Sequence, residues 1–362
     1  MIKEKIKRIL AVAGDAGGAR ALLPVIRELK SSGEIEFDCR AYAAAFEIWK
    51  NAGFQPIRIY PNQLDDFDKI ILGTTVGEEM WEPEIIREAR KSDVYTLCVL
   101  DFWTNYKERF TTEDGEFILP NSIAIMDEWA REEMIALGFP ALSLHITGQP
   151  AFDEIIKFKE SVGKGGFATS EIEETNSLRV LYVSQPLSIL KCNRNLGYDE
   201  HQALDDLVSA FNRISLQRET QMLFSIKPHP CEINPEYPIS RELSANLQIE
   251  VLPQEIHPYQ AVLESDLVVG TNSVLLMEAC FLGKPTLSYQ PNLQITDALK
   301  SNAFGWSRAI YQQKDLLNAL EGEIFDGEKR EKRRRILASI SQPHGATGRV
   351  IELLLNESRN KV

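Results

Sequence analysis

The sequence predicts an α/β protein of two doubly wound, Rossmann-like domains facing a cleft. Three observations carry that expectation. The chain has 362 residues, and a domain typically takes ~150, so two are expected. Short apolar runs alternate with amphipathic segments along most of its length, the pattern of parallel strands joined by crossover helices. Residues 161–177 (SVGKGGFATSEIEETNS) then break the alternation with Gly, Ser, Thr and Glu and read as a linker, after which it restarts. The resulting division is residues 1–160, the linker 161–177, residues 178–344 and a C-terminal segment 345–362.

Taken in order, the strand candidates of the first half are Ile9–Ala13, Phe37–Ala41, Pro56–Ile59, Lys69–Leu72, Val94–Leu100, Ser122–Met126 and Leu142–Ile146. They are apolar on both faces, as parallel strands covered by helices must be. Ala19–Lys30, Glu82–Lys91 and Glu128–Leu137 show helical periodicity between them. The second half offers strands at Leu178–Ser184, Met222–Lys227, Leu247–Leu252, Asp266–Val269 and Pro285–Tyr289. Ser273–Leu282 reads as a helix that Gly283 closes as its C′ residue.

The composition narrows the function classes. Hydrophobic residues make up 44% and charged residues 26%, so the chain is neither disordered nor disulfide-stapled. A net charge of −13 opposes general nucleic-acid binding, which needs a basic face. The cysteines, at positions 39, 98, 192, 231 and 280, form no C-x-x-C pair and read as buried, reduced thiols of a cytoplasmic protein. The apolar core Ile9–Ala13 is too short for a signal peptide, and no run is long enough to span a membrane. The basic run Lys329–Arg335 reads as a solvated helix face, with contact to an anionic membrane surface as the sharper alternative.

Four motifs carry chemistry. Gly14-Asp15-Ala16-Gly17-Gly18 follows the first strand and opens a helix. It is not G-x-G-x-x-G, and Asp15 would repel a pyrophosphate, so it reads as a substrate-side loop or a plain turn rather than a dinucleotide site. Lys227-Pro228-His229-Pro230 ends a strand and offers a cation and an imidazole where open sheets bind phosphates, or else forms a capped surface loop. Thr271-Asn272-Ser273 lead from a strand into a helix whose first-turn amides can hold a phosphate, with Glu278 about one and a half turns in, or else form a purely structural N-cap with a surface Glu. Finally Asp101, Asn105 and Arg109 recur at i, i+4 and i+8, on one face if the segment is helical, with Trp103, Tyr106 and Phe110 interleaved. That segment is either a general base with an aromatic stacking surface or an aromatic mini-core around an Asp–Arg pair.

Two Rossmann-like halves carrying K-P-H-P and D-L-V-V-G-T-N-S-x4-E-A-x3-G-K-P resemble the GT-B-fold superfamily. That group includes nucleotide-sugar glycosyltransferases, CDP-glycerol glycerophosphotransferases and UDP-N-acetylglucosamine 2-epimerases. Thr147-Gly148-Gln149-Pro150 with Phe152-Asp153 is similar to the T-G-N-P-x-x-D crossing between halves, and Gly345–Arg349 with Val350–Leu355 to the C-terminal helix that packs back on the first domain. The resemblance implies a nucleotide-diphosphate sugar held by the second domain and a carbohydrate or lipid-linked acceptor held by the first. Lys227 and His229 would meet phosphates, Thr271, Asn272 and Ser273 the pyrophosphate, Glu278 the ribose, and Leu252–His257 the base. Asp101, or failing that Asp15, would activate the acceptor hydroxyl beside Gly17, Gly18, Trp103, Asn105, Tyr106 and Arg109. No metal or other cofactor is implied.

Gly270-Thr271-Asn272-Ser273 stands where the epimerases carry D-S-G-G, there is no H-V-E-A-G segment, and Asp101-Phe102-Trp103 replaces the histidine-glycine loop of the glycerophosphotransferases. The expected activity is therefore sugar transfer in surface-polysaccharide or glycolipid synthesis. The alternatives are an epimerase or hydrolase on the same scaffold and a non-catalytic nucleotide-sugar-binding protein. The sequence does not give the oligomeric state.

Overall fold

The computed structural model describes residues 8–33, 35–58, 64, 66–76, 79–163, 177–188, 196–232, 235–237, 239, 242–340 and 345–356. The chain forms two compact units, Met1–Glu154 with Pro343–Val362, and Ile155–Gln342.

In the first unit the strands are β1 (Arg8–Ala13), β2 (Glu36–Ala41), β3 (Ile57–Arg58), β4 (Lys69–Leu72), β5 (Tyr95–Val99), β6 (Ser122–Ile125) and β7 (Leu144–Ile146). They form one parallel sheet in the order β3-β2-β1-β4-β5-β6-β7. Helices α1 (Ala16–Ser32), α2 (Ala43–Asn51), α3 (Glu82–Lys91), α4 (Glu128–Ala136) and α5 (Pro150–Gly163) connect or follow them. Ile9, Ala11 and Ala13 of β1 pack with Leu22, Val25 and Ile26 of α1 in a core that also holds Trp49, whose indole N–H donates to the Ala19 carbonyl at 3.0 Å.

The second unit repeats the plan. Its strands are β8 (Ser177–Val183), β9 (Gln221–Lys227), β10 (Leu247–Val251), β11 (Leu267–Gly270), β12 (Thr286–Tyr289) and β13 (Arg308–Ile310), parallel in the order β10-β9-β8-β11-β12-β13. Its helices are α6 (Glu200–Arg218), α7 (Pro258–Glu264), α8 (Val274–Phe281), α9 (Lys300–Ala303), α10 (Gln313–Phe325) and α11 (Gly327–Ser339). Leu204, Leu207, Phe211 and Ile214 of α6 cover Tyr182, Phe224 and Val269 of the sheet. In each sheet the strand order reverses beside the first strand, at β1/β4 and at β8/β11. Loops at the carboxyl ends of such a reversal diverge and leave a crevice for ligands.

The last helix, α12 (Ala346–Asn356), belongs to the first unit, where Val350 and Leu354 join the core. Asp153 holds its start. One carboxylate accepts from the amides of Gly345, Ala346 and Thr347 at 3.1, 3.3 and 2.7 Å and from the Thr347 hydroxyl at 2.7 Å. Arg349 Nε donates to the Thr147 carbonyl at 2.8 Å, and buried Lys69 Nζ to the Leu354 carbonyl at 2.5 Å. The T-G-Q-P-x-x-D and G-A-T-G-R segments are thus two halves of one anchor.

Several expectations change. Helix α5 begins in the first unit and continues into the second, so the division falls inside it, after Glu154 rather than at residue 160. Most of the expected linker, residues 164–176, lies outside the described residues, as do Cys192 and Ile59. Ala141–Ser143 form a 3-10 turn with Leu142 94% exposed, and only Leu144–Ile146 pair with β6. Strand β13 escapes sequence reading because its three residues give no period. Asp101–Phe110 is not an α-helix but a run of turns ending in the 3-10 turn Glu108–Phe110, with Asn105 in the left-handed region at φ 56°. Among the cysteines, positions 39, 98 and 280 are buried, but Cys231 is exposed.

In the basic run, Arg333 is buried against Glu323 at 2.9 Å and donates to the carbonyls of Gly305 and Trp306, while Arg334 and Arg335 pair with Glu331. No helix among the described residues is long and apolar enough to cross a membrane.

Candidate functional site

At the reversal point of the first sheet, β1, β4 and β5 end side by side and their loops bring two carboxylates together. Asp15 caps α1: its Oδ1 accepts from the Gly18 amide at 2.7 Å and its Oδ2 from the Val76 amide at 3.3 Å. Asp101 Oδ1 accepts from the Thr74 hydroxyl at 2.7 Å and from Arg109, a buried ion pair, while the same Arg109 nitrogen contacts Thr74 Oγ1 at 2.9 Å and Nε donates to the Thr104 carbonyl. Arg109 therefore reaches Asp101 through a loop, not along a helix face.

Gly17 and Gly18 make the approach possible. A Cβ at Gly17 would lie 2.0 Å from Asp101 Oδ2, and one at Gly18 would lie 3.0 Å from backbone atoms of Thr74. Burial, and then the negative charge of Asp101, push the Asp15 carboxyl up to about 6. A carboxyl so placed can hold or release a proton near neutral pH, the property a general base needs.

Behind this pair lie residues that sequence reading passed over. Glu82 was legible only as the first residue of a helix. It is 1% exposed and accepts from the Thr75 hydroxyl at 2.6 Å and from Tyr42. Gly73-Thr74-Thr75 did carry a signal, because small polar residues after an apolar strand mark a loop at a sheet's carboxyl end, as they do at residues 270–273.

The expected aromatic surface is not there. Trp103 and Tyr106 are buried, with Trp103 Nε1 donating to Asp127 at 2.9 Å and the Tyr106 hydroxyl to Glu133 at 2.7 Å. Phe110 packs edge-on against Phe139. These rings complete an apolar core, the alternative reading of the motif. Asn105 is exposed.

In the second unit Val183 of β8 pairs with Lys227 on one side and Gly270 on the other. Two strand spacings of about 4.8 Å put the K-P-H-P and G-T-N-S turns roughly 10 Å apart along one sheet edge. Ser273 caps α8, its hydroxyl accepting from the Leu275 amide at 3.3 Å. Thr271 is buried and reaches Gln185 at 3.3 Å. Asn272 Oδ1 is buried with no hydrogen-bond partner among the described residues, an unsatisfied acceptor just before the start of α8. Glu278 is half-buried on α8.

Lys227 is 6% exposed, and its Nζ donates to the carbonyls of Gln254 at 3.1 Å and Pro253 at 3.4 Å. Burial lowers its pKa. The His229 amide donates to Glu232 at 2.6 Å, and its Nδ1 accepts from the Cys231 amide at 3.2 Å. Glu232 also accepts from Ser184 at 3.0 Å and Tyr237 at 3.2 Å, so it ties the ends of β8 and β9 together. A cavity of about 210 Å³ adjoins this knot, walled by Tyr182, Ser184, Glu200, Cys231, Glu232 and Tyr237. His257 caps α7 through Nδ1 and stacks on Phe158 at 4.7 Å. His257 is exposed.

The chain matches no protein-family model, and no curated protein matches it in sequence. Solved structures match along nearly its whole length. The UDP-GlcNAc 2-epimerase from Neisseria meningitidis bound to UDP-GlcNAc superposes with a TM-score of 0.65 at 15% identity, covering 97% of this chain and 100% of that one. MurG of Acinetobacter baumannii gives 0.62 at 14% identity, with 97% and 100% covered. The UDP-GlcNAc 2-epimerase of Methanocaldococcus jannaschii in complex with UDP-GlcNAc and UDP gives 0.60 at 12%, again with 97% and 100% covered. At these identities the likeness establishes the fold: two doubly wound parallel sheets of the GT-B type.

Proposed function

We propose that the chain is a glycosyltransferase that uses a nucleotide-diphosphate sugar. The observation that supports this most is the complementary chemistry at the two reversal points. A carboxylate pair with one member poised near neutral pH stands in the first unit, and an anion-accepting helix start beside Lys227 and His229 stands in the second. Structures of the same fold have been solved with UDP-GlcNAc and UDP.

In the proposed reaction the Asp101–Asp15 pair takes the proton of an acceptor hydroxyl, whose oxygen attacks the anomeric carbon. The bond from that carbon to the diphosphate breaks, and the nucleoside diphosphate leaves with its negative charge. First-turn amides of α8, with Lys227 and His229, stabilise that charge. Thr271, Asn272 and Ser273 hold the pyrophosphate, Glu278 the ribose, and the Leu252–His257 segment the base.

Turnover of UDP-GlcNAc, with UDP-, CDP-, GDP- and dTDP-sugars screened beside it, tests the proposal. Asp15→Asn and Asp101→Asn are expected to lower turnover by about 10²–10⁴ with nucleotide affinity retained. His229→Ala and Asn272→Ala are expected to weaken nucleotide binding. Near-wild-type turnover in both carboxylate variants overturns the reading. A second reading, epimerisation or hydrolysis, draws on the epimerases among the fold's matches. It predicts a C2-inverted sugar or free nucleotide without any acceptor, which proton NMR of the products distinguishes from transfer.

A further inference from the structure

Glu82 is a carboxylate sealed in the first unit that makes no salt bridge among the described residues, and the groups acting on it most strongly are Thr75, Tyr42, its own amide and Asp15. Burying a carboxylate in this way is costly, so its partners indicate what it does there. Both are hydroxyls: Thr75 is bonded to Asp15, and Tyr42 lies against the preceding residue, Gly14. Thr75 donates to Glu82 at 2.6 Å and its oxygen accepts from the Asp15 amide at 3.3 Å. Tyr42 donates to Glu82, accepts from the Trp81 amide at 3.0 Å, and lies against Gly14, where a Cβ would come within 2.1 Å of its ring. The Thr74–Val76 turn that Thr75 anchors also supplies the Thr74 hydroxyl to Asp101 and the Val76 amide to Asp15.

We infer that Glu82 is a positioning residue for the Asp15–Asp101 pair, fixing from behind the turn that is bonded to Asp15 and the tyrosine that lies against Gly14. This rests on the reading of that pair as the acceptor-activating site. The titratable and charged groups round the network are Tyr42 after β2, Asp15 at the head of α1, Cys98 of β5, and Asp101 with Arg109 beyond Asp15. Glu82 itself is pushed up to about 7 by burial.

The test follows the Asp15 carboxyl by ¹³C NMR titration, assigned with Asp15→Asn, alongside UDP-GlcNAc turnover. Glu82→Ala frees both hydroxyls. It is expected to let the Asp15 midpoint fall from about 6 toward the ordinary carboxylate value of about 4, and to cut turnover ~10-fold or more through misplacement. Glu82→Gln, whose amide can still engage both hydroxyls, is expected to restore both readouts. Thr75→Val, which breaks the link without emptying the Glu82 site, is expected to resemble Glu82→Ala and serves if that variant does not fold. An Asp15 midpoint and turnover that stay at wild-type values in folded Glu82→Ala or Thr75→Val overturn the inference. Full turnover in both Asp15→Asn and Asp101→Asn instead overturns the functional reading, while the titration still decides the role of Glu82.

Discussion

Gly17 has no side chain, and Asp101 Oδ2 lies where a Cβ would be. Gly17→Ala is therefore expected to displace Asp101, which has little freedom because Arg109 and Thr74 hold its other oxygen. Turnover of UDP-GlcNAc should fall by ~100-fold, the scale of an ångström-level misplacement, while thermal melting shows a folded protein. Gly138→Ala, at a glycine with φ 93° and open space around it, serves as the strain control and should leave turnover intact.

The same cluster shapes the pH dependence of stability. Asp15 is raised to about 6 and Glu82 to about 7. For carboxyls raised on folding, the native state holds protons that the unfolded chain releases. Their contribution is present below the unfolded values near 4 and is lost as pH rises through 6 to 7. Urea unfolding between pH 4 and 8 should show wild type losing stability across that window relative to Asp15→Asn and Glu82→Gln. A constant difference across the window removes the raised values.

At the scale of elements, each reversal point is built by a strand that ends in small polar residues and a helix that begins at once. Gly14–Gly18 does this for β1 and α1, and Gly270–Ser273 for β11 and α8. The element that closes the first unit, α12, depends on one distant carboxylate. Asp153→Ala removes four hydrogen bonds at the α12 start and leaves three amides unsatisfied. The expected loss is about 2 kcal/mol, the upper range for a helix cap. Hydrogen exchange should place it in α12 and in the β4 end that Lys69 ties to Leu354. Equal protection in variant and wild type sinks this role for Asp153.

For the whole molecule, the two sheets share one winding, with a central first strand, a reversal, and loops at the carboxyl ends. Their surface chemistry differs. The first unit gathers carboxylates, and the second presents a helix start, a lysine and a histidine. The likeness to solved structures extends over 97% of the chain at 15% identity or below, so backbone plan and side-chain chemistry have separate constraints. Burial on both faces of each sheet suffices to specify the winding, whereas transfer, epimerisation or binding depends on which few side chains occupy the loops.

The sequence by itself determined the alternation of strands and helices, the two-unit plan and the turns where chemistry gathers. Each of these is local: apolar runs, helical periods and small polar residues at strand ends need no distant partner to be read. Tertiary structure alone decided that Arg109 meets Asp101 through turns, that Trp103 and Tyr106 are core, that Asp153 caps a helix almost two hundred residues away, and that Glu82 stands behind Asp15. Those facts depend on which loops converge when parallel strands assemble. Sheet order is fixed by the burial of whole faces, and no single segment encodes it.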